Sequence, residues 1–107
     1  MRFLPLACAA ALLVACAPAA AVPVPVTVKI ANFTFAAPVV TIAPGTTVTW
    51  VNDDDIPHTV VADDKSFRSK VLDTGDRFAF TFAKPGTYGY FCSIHPHMTG
   101  KIVVKAP

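Results

Sequence analysis

The 107-residue sequence contains no glutamate and no glutamine, and it has only one tryptophan, two methionines and three cysteines. Without Glu and Gln, and with a single leucine after position 21, the chain is poor in strong helix formers. Its five glycines stand singly, which excludes a glycine-rich phosphate-binding loop. The formal net charge of +2 is small and unclustered, which argues against nucleic acid as a partner. At this length one domain is expected.

Residues 1–21 have the layout of a secretory signal peptide. Arg2 precedes an apolar run over residues 3–15, which is too short to cross a membrane as a helix. Two processing patterns compete. Residues 19–21 offer an A-x-A site for ordinary signal peptidase, whereas residues 13–16 resemble a lipobox, in which Cys16 would carry lipid. We therefore expect a protein of the periplasm or cell exterior, anchored to a membrane through Cys16 if the lipobox is used.

Residues 22–107 have the composition and periodicity of one all-β domain. Thirteen Val, eleven Thr and seven Phe follow position 21, and β-branched and aromatic residues favour strands. Apolar residues alternate with polar or small ones in several short segments. We predict about eight strands in a two-sheet Greek-key sandwich, because one open sheet of this size could not bury its apolar face. They are placed near residues 24–35, 39–43, 46–51, 58–62, 67–72, 77–82, 87–92 and 101–105.

The residues that carry chemistry are concentrated near the C-terminus. Cys92, His95, His97 and Met98 all fall within one short segment, and once the signal peptide has left Cys92 has no partner for an internal disulfide. Thiolate and thioether sulfur favour copper, and a cysteine with two histidines and a weakly bound methionine forms the blue-copper electron-transfer site. His58 lies well before Cys92 in the chain, so this imidazole would come from another part of the fold.

Residues 88–104 resemble the copper-ligand loop of the cupredoxins, the family of type 1 blue copper proteins. The short Cys-x2-His-x2-Met spacing is most similar to that of the amicyanins, and so are residues 48–52 followed by Pro57 and His58. The loop differs from the amicyanin pattern at Ile94 and His97, where Pro and Phe are usual.

The resemblance implies a cupredoxin fold from about residue 24 to the C-terminus, with one copper ion that cycles between Cu(I) and Cu(II). His58, Cys92 and His95 would be the strong ligands and Met98 the weak axial one. Asn52 would support the site through hydrogen bonds that pin the ligand loop. By the same resemblance, the His95 ring would reach the surface in an apolar patch and pass the electron.

His97 competes with His95 for the ligand role, because the longer cupredoxin loops have a Cys-x4-His spacing. In this sequence, however, Met98 follows His97 directly, and neighbouring residues at a turn rarely direct both side chains at one ion. We therefore assign His95 to the copper and expect His97 to be exposed. Two further expectations are that residues 53–55 form a solvated loop and that Trp50 belongs to the core.

A site closed by four side chains suits electron transfer better than catalysis, because a catalytic metal keeps a position open for water or substrate. We predict a monomeric electron carrier, not an enzyme, that exchanges single electrons with a protein donor and a protein acceptor. Three alternatives remain: a copper protein for delivery or tolerance, a zinc site that uses His58, Cys92, His95 and water, and a purely structural sandwich.

Overall fold

The computed structural model describes residues 23–107, so the predicted signal peptide and Cys16 lie outside the described residues. Within this range no helix is long and apolar enough to cross a membrane. Residues 23–107 form eight strands: β1 (Val26–Ala31), β2 (Thr34–Phe35), β3 (Val39–Ile42), β4 (Thr46–Asn52), β5 (Val61–Ala62), β6 (Arg77–Phe82), β7 (Gly86–Phe91) and β8 (Thr99–Val104).

The strands form two four-stranded sheets, which confirms the predicted all-β sandwich. One sheet has the order β2-β1-β4-β6 and the other has the order β3-β8-β7-β5. Each sheet contains one parallel pair, β1 with β4 and β3 with β8, while the remaining neighbours run antiparallel. The chain therefore crosses between the sheets several times, and the candidate ligands lie in the segments that follow β4 and β7.

Two predicted strands are wrong in extent, and one is absent. The strand expected at 24–35 is divided by a turn at Asn32 and Phe33, whose φ angles of 53° and 57° turn the chain back on itself. Of the strand expected at 58–62, only the last two residues form a strand, which is β5. The strand expected at 67–72 is replaced by two single bridges, which pair Arg68 with Val61 and Leu72 with His58.

A side chain explains why no continuous ladder forms between residues 58–62 and 67–72. The hydroxyl of Ser69 accepts a hydrogen bond from the N–H of Val60 at 2.8 Å, and the N–H of Ser69 donates to the Val60 carbonyl. These bonds satisfy buried polar groups that a β ladder would otherwise pair. The segment is thus held by hydrogen bonds without being a strand. The alternation of apolar and polar residues in the sequence does not distinguish such a segment from a true strand.

Trp50 is the centre of the core between the sheets, as predicted. Its side chain is fully buried, and its ring lies within 5.3 to 6.4 Å, centroid to centroid, of the rings of Phe67, Phe78, Phe82 and Tyr90. Such aromatic contacts add to the large apolar area that these side chains bury. Cys92 and Met98 belong to the same buried cluster, so both ends of the ligand loop rest on this core.

Candidate metal centre

His58 is held in place by backbone hydrogen bonds to the neighbouring segment. Its N–H donates to the Leu72 carbonyl at 3.1 Å, and its own carbonyl accepts from the Leu72 N–H at 2.7 Å. The side chain is fully buried. A buried imidazole has little freedom to rotate, so its ring nitrogens point in directions that the fold determines.

The ligand loop forms two consecutive turns between β7 and β8. The N–H of His95 donates to the Cys92 carbonyl at 3.2 Å, and the N–H of Met98 donates to the His95 carbonyl at 2.9 Å. A third bond, from the Cys92 N–H to the Met98 carbonyl at 3.0 Å, closes the loop at its base. This backbone pattern brings the His95 ring back over Cys92.

The structure brings together three of the four predicted ligands as a group of donor atoms. The ligand atoms of His58, Cys92 and His95 all lie within 4.8 Å of one another. The Cys92 Sγ atom is 3.7 Å from Nδ1 of His58 and 3.8 Å from Nδ1 of His95. Met98 is buried in the same loop, whereas the His97 side chain is exposed and not part of this group.

The two sulfur–nitrogen spacings in this group fit a shared metal ion. Metal–sulfur and metal–imidazole bonds of about 2.3 and 2.0 Å, opened to an angle of about 120°, span a sulfur–nitrogen distance of about 3.7 Å. The two observed distances match this value. One thiolate and two imidazoles that converge with little access to solvent are suited to copper or zinc.

The protein environment favours the thiolate form of Cys92. Burial alone would raise the pKa of this thiol, but the Thr59 N–H, which donates to Sγ at 3.4 Å, and the two adjacent imidazoles outweigh it. Together they lower the pKa of Cys92 from 9.0 to about 6. Because the thiolate is the metal-binding form, the site loses little free energy to deprotonation at neutral pH.

We predict that the metal-free protein becomes more stable as the pH rises from about 6 to about 9. Over this range the unfolded chain, with its ordinary thiol pKa, binds more protons than the folded chain. The thiolate contribution is therefore fully present above the unfolded pKa and is lost as the pH falls through the folded pKa. Urea unfolding under reducing conditions should detect a gain of, at most, a few kcal/mol.

The matched control for this pH dependence is Cys92→Ser, whose hydroxyl does not titrate in this range. The two proteins share every other titrating group, including the imidazoles. The difference between their two pH profiles therefore isolates the thiol. Parallel profiles would contradict a lowered pKa at Cys92.

Thr59 joins the His58 segment to the ligand loop, a role that the sequence did not predict. Its hydroxyl oxygen accepts a hydrogen bond from the Ser93 N–H at 2.7 Å and lies 2.7 Å from the Ser93 hydroxyl. Its own N–H donates to the Cys92 sulfur. The only available signal was that Thr59 directly follows a candidate ligand, which places its backbone beside the site.

Asn52 is fully buried beside the candidate centre, but its hydrogen bonds differ from the expected ones. Its side-chain nitrogen donates to the carbonyls of Ile56 at 2.9 Å and Leu72 at 2.8 Å, and its oxygen accepts from the Asp54 N–H. Asn52 therefore fixes the loop before His58. The bonds to the ligand loop come from Thr59 instead, because β4 ends on the His58 side of the site.

The prediction that residues 53–55 form a solvated loop is wrong for Asp54. Its side chain is only 15% exposed, and its carboxylate accepts hydrogen bonds from Nε2 of His58 at 2.8 Å and from the Phe33 N–H at 2.9 Å. A third bond comes from the Asn32 N–H. The Phe33 N–H, with further contributions from His58 and Asn32, holds the pKa of Asp54 below its ordinary value.

The fold and the site define a class of protein: a small β-sandwich with a buried cysteine and two imidazoles grouped where its strands end. Residues 3–104 match the family model of the cupredoxin-like domain. The chain therefore belongs to the cupredoxin-like family, which confirms the resemblance seen in the sequence.

The chain is similar to amicyanins and to other cupredoxins. It is 38% identical over 85 residues to the amicyanin of Paracoccus versutus, a match that covers 75% of this chain and 64% of that protein. It is 39% identical to amicyanin-alpha of Methylorubrum extorquens, with 73% and 70% covered. Among solved structures, a purple cupredoxin from Nitrosopumilus maritimus superposes with a TM-score of 0.72 at 35% identity, with 75% of this chain and 99% of that chain covered. The chain thus spans slightly under two thirds of the length of the Paracoccus versutus amicyanin.

Proposed function

We propose that this protein is an exported type 1 copper protein that carries single electrons between a protein donor and a protein acceptor and catalyses no reaction of its own. The observation that carries the proposal is the convergence of Cys92 with His58 and His95 on one small volume, from two segments that lie far apart in the chain. Relatives named amicyanin and plastocyanin support the same function.

His58, Cys92 and His95 would hold the copper as strong ligands, with the Met98 thioether as a fourth and weaker ligand. Soft sulfur donors favour copper over harder cations, and the low thiol pKa supplies the thiolate without a strong base. The Met98 side chain is 6% exposed, and the Cys92 and His58 side chains are not exposed at all. A copper ion held there would supply one-electron redox chemistry.

The surrounding residues keep the donors in one arrangement and restrict the approach of water. The two backbone hydrogen bonds with Leu72 hold His58, and the hydrogen bonds between Thr59 and Ser93 hold the ligand loop. The aromatic core supports both segments. His95 is half-buried, so its ring is the ligand through which an electron would reach a partner. A closed, rigid site suits outer-sphere electron transfer and leaves no position for a substrate.

We further propose that residues 1–21 are a signal peptide and that residues 22–107 act in the periplasm or at the cell exterior. The arrangement of Arg2, the apolar run and the small residues that follow supports export. Mass spectrometry of the N-terminus, from protein purified out of an exporting host, would distinguish a chain cut after position 21 from one that begins with a lipid-modified Cys16.

The test of this function is to load the purified protein with Cu(II) and record both its visible spectrum and its voltammogram. An electron carrier should develop an intense thiolate-to-copper absorption band and a reversible one-electron wave. A colourless protein that retains zinc in preference to copper would contradict the proposal. Rapid loss of Cu(I) to a chelator, without reversible cycling, would instead indicate copper delivery.

A further inference from the structure

A groove lined by cationic side chains lies beside the segment that carries His58. It has a volume of about 520 Å³ and is formed by residues 68–72 and the start of β6, which is an edge strand of its sheet. Arg68, Lys70 and Arg77 line this groove, and all three side chains are exposed. Within residues 23–107 none of the three forms an ion pair, so their charges are available to a ligand.

The positive charge of the domain is concentrated in this groove. Its described lining contains three cationic residues and a single carboxylate, that of Asp76, which already accepts a hydrogen bond from the Asp73 N–H at 2.9 Å. The groove thus has a formal charge of +2, whereas residues 23–107 as a whole, with eight Lys or Arg and seven Asp, carry only +1. Such a local excess attracts a surface of opposite charge and speeds its encounter.

Val71 suits the groove to a protein surface rather than to a small anion. Its side chain lines the groove and is 54% exposed. Protein interfaces combine apolar contacts with a charged rim, whereas inorganic phosphate gains nothing from an apolar side chain. A membrane fits less well, because the carboxylates of Asp73 and Asp76 beside the cations would repel a broad layer of anionic headgroups.

Leu72 connects the groove to the metal centre. This buried residue lines the groove, and its backbone forms two hydrogen bonds with that of His58, at 3.1 and 2.7 Å. A partner in the groove would therefore lie next to the His58 segment. A partner that approached the half-buried His95 would instead contact the ligand loop.

We propose that the cationic groove formed by Arg68, Lys70, Val71 and Arg77 is a docking surface for an acidic protein partner, which it holds on the His58 side of the metal centre. That this partner exchanges electrons rests on the proposed function. The binding of an acidic protein surface does not, because no metal ion takes part in it. The groove can therefore be tested in the metal-free protein.

The test uses a short peptide of aspartates around one leucine as the acidic probe. It is titrated into the metal-free protein and followed in proton–nitrogen correlation spectra. The peptide should shift the backbone signals of residues 68–72 and 76–78, and it should bind more weakly as salt is added, because salt screens exposed charges. A peptide with serine in place of the leucine should also bind more weakly, because the apolar contact with Val71 is lost.

The variant for this test combines Lys70→Glu with Arg77→Glu, and the matched control combines Lys101→Glu with Lys105→Glu. Both pairs of side chains are exposed, and both variants change the net charge equally, but the second pair lies outside the groove. The groove variant should bind the peptide about tenfold more weakly, because each reversal replaces an attraction with a repulsion. The control variant should retain most of the affinity. Circular dichroism verifies that both variants are folded.

Four results would overturn the proposal. Equal weakening in the two variants would show that only net charge matters, and shifts centred on other residues would place the peptide elsewhere. Equal shifts with inorganic phosphate would indicate a small-anion site. Binding to vesicles of phosphatidylglycerol and phosphatidylcholine that is lost only in the groove variant would indicate a membrane surface. Failure of the protein to bind copper would overturn the proposed function and leave the peptide result intact.

Discussion

Replacing Cys92 with serine is expected to abolish the visible absorption of the copper-loaded protein. The band requires a thiolate bound to copper, and a serine hydroxyl neither ionises at neutral pH nor offers soft sulfur to the metal. The affinity for copper should fall by more than the roughly 10- to 100-fold that accompanies the loss of a supporting residue, because a direct ligand is removed. Visible spectroscopy and a competitive titration measure the two effects.

Ser93→Ala is the control for this substitution, because it changes the adjacent side chain and leaves the sulfur in place. It removes one hydroxyl contact with Thr59, while the Ser93 N–H can still donate to the Thr59 oxygen. The band should therefore persist in Ser93→Ala. Circular dichroism of both metal-free variants verifies that each is folded. Retention of the band in a folded Cys92→Ser protein would exclude Cys92 as the thiolate ligand.

Composition and alternation were sufficient to predict the architecture, because they reflect burial on one face of each strand. The strands β4 and β6 agree with the sequence prediction to within a residue. The segment at 67–72 could not be predicted in the same way. Its backbone is paired through Ser69 and through single bridges to Val61 and His58, and such bonds depend on which segments meet in space.

The candidate ligands could be predicted because metal chemistry restricts the residue types to very few. Sulfur donors are rare in this chain, so their clustering with histidines was informative. The same reasoning could not identify the residues that support the ligands, because metal chemistry does not restrict their residue types. Asp54 lies in a run of three aspartates that suggests only a polar turn, and its role emerges once the turn at Asn32 and Phe33 is brought against it.

Trp50→Ala is expected to produce the largest loss of stability of any single substitution in the core. The side chain is fully buried among aromatic rings, and its removal leaves a cavity that the surrounding rings can close only in part. Its indole nitrogen forms no hydrogen bond of standard geometry among residues 23–107, so the loss comes mainly from packing. The free energy of unfolding of the metal-free protein should fall by about 3–5 kcal/mol.

This loss is a large part of the roughly 5–15 kcal/mol that stabilises a typical domain, so a substantial unfolded population is expected at moderate temperature. Urea unfolding must be followed by circular dichroism, since Trp50 is the only tryptophan and the variant has no indole fluorescence. The control is Thr49→Ala, at the preceding position of β4, where a half-buried side chain points to the opposite face. It should cost less than about 1 kcal/mol. Equal losses in the two variants would show that the aromatic cluster around Trp50 does not dominate the stability of the core that supports Cys92 and Met98.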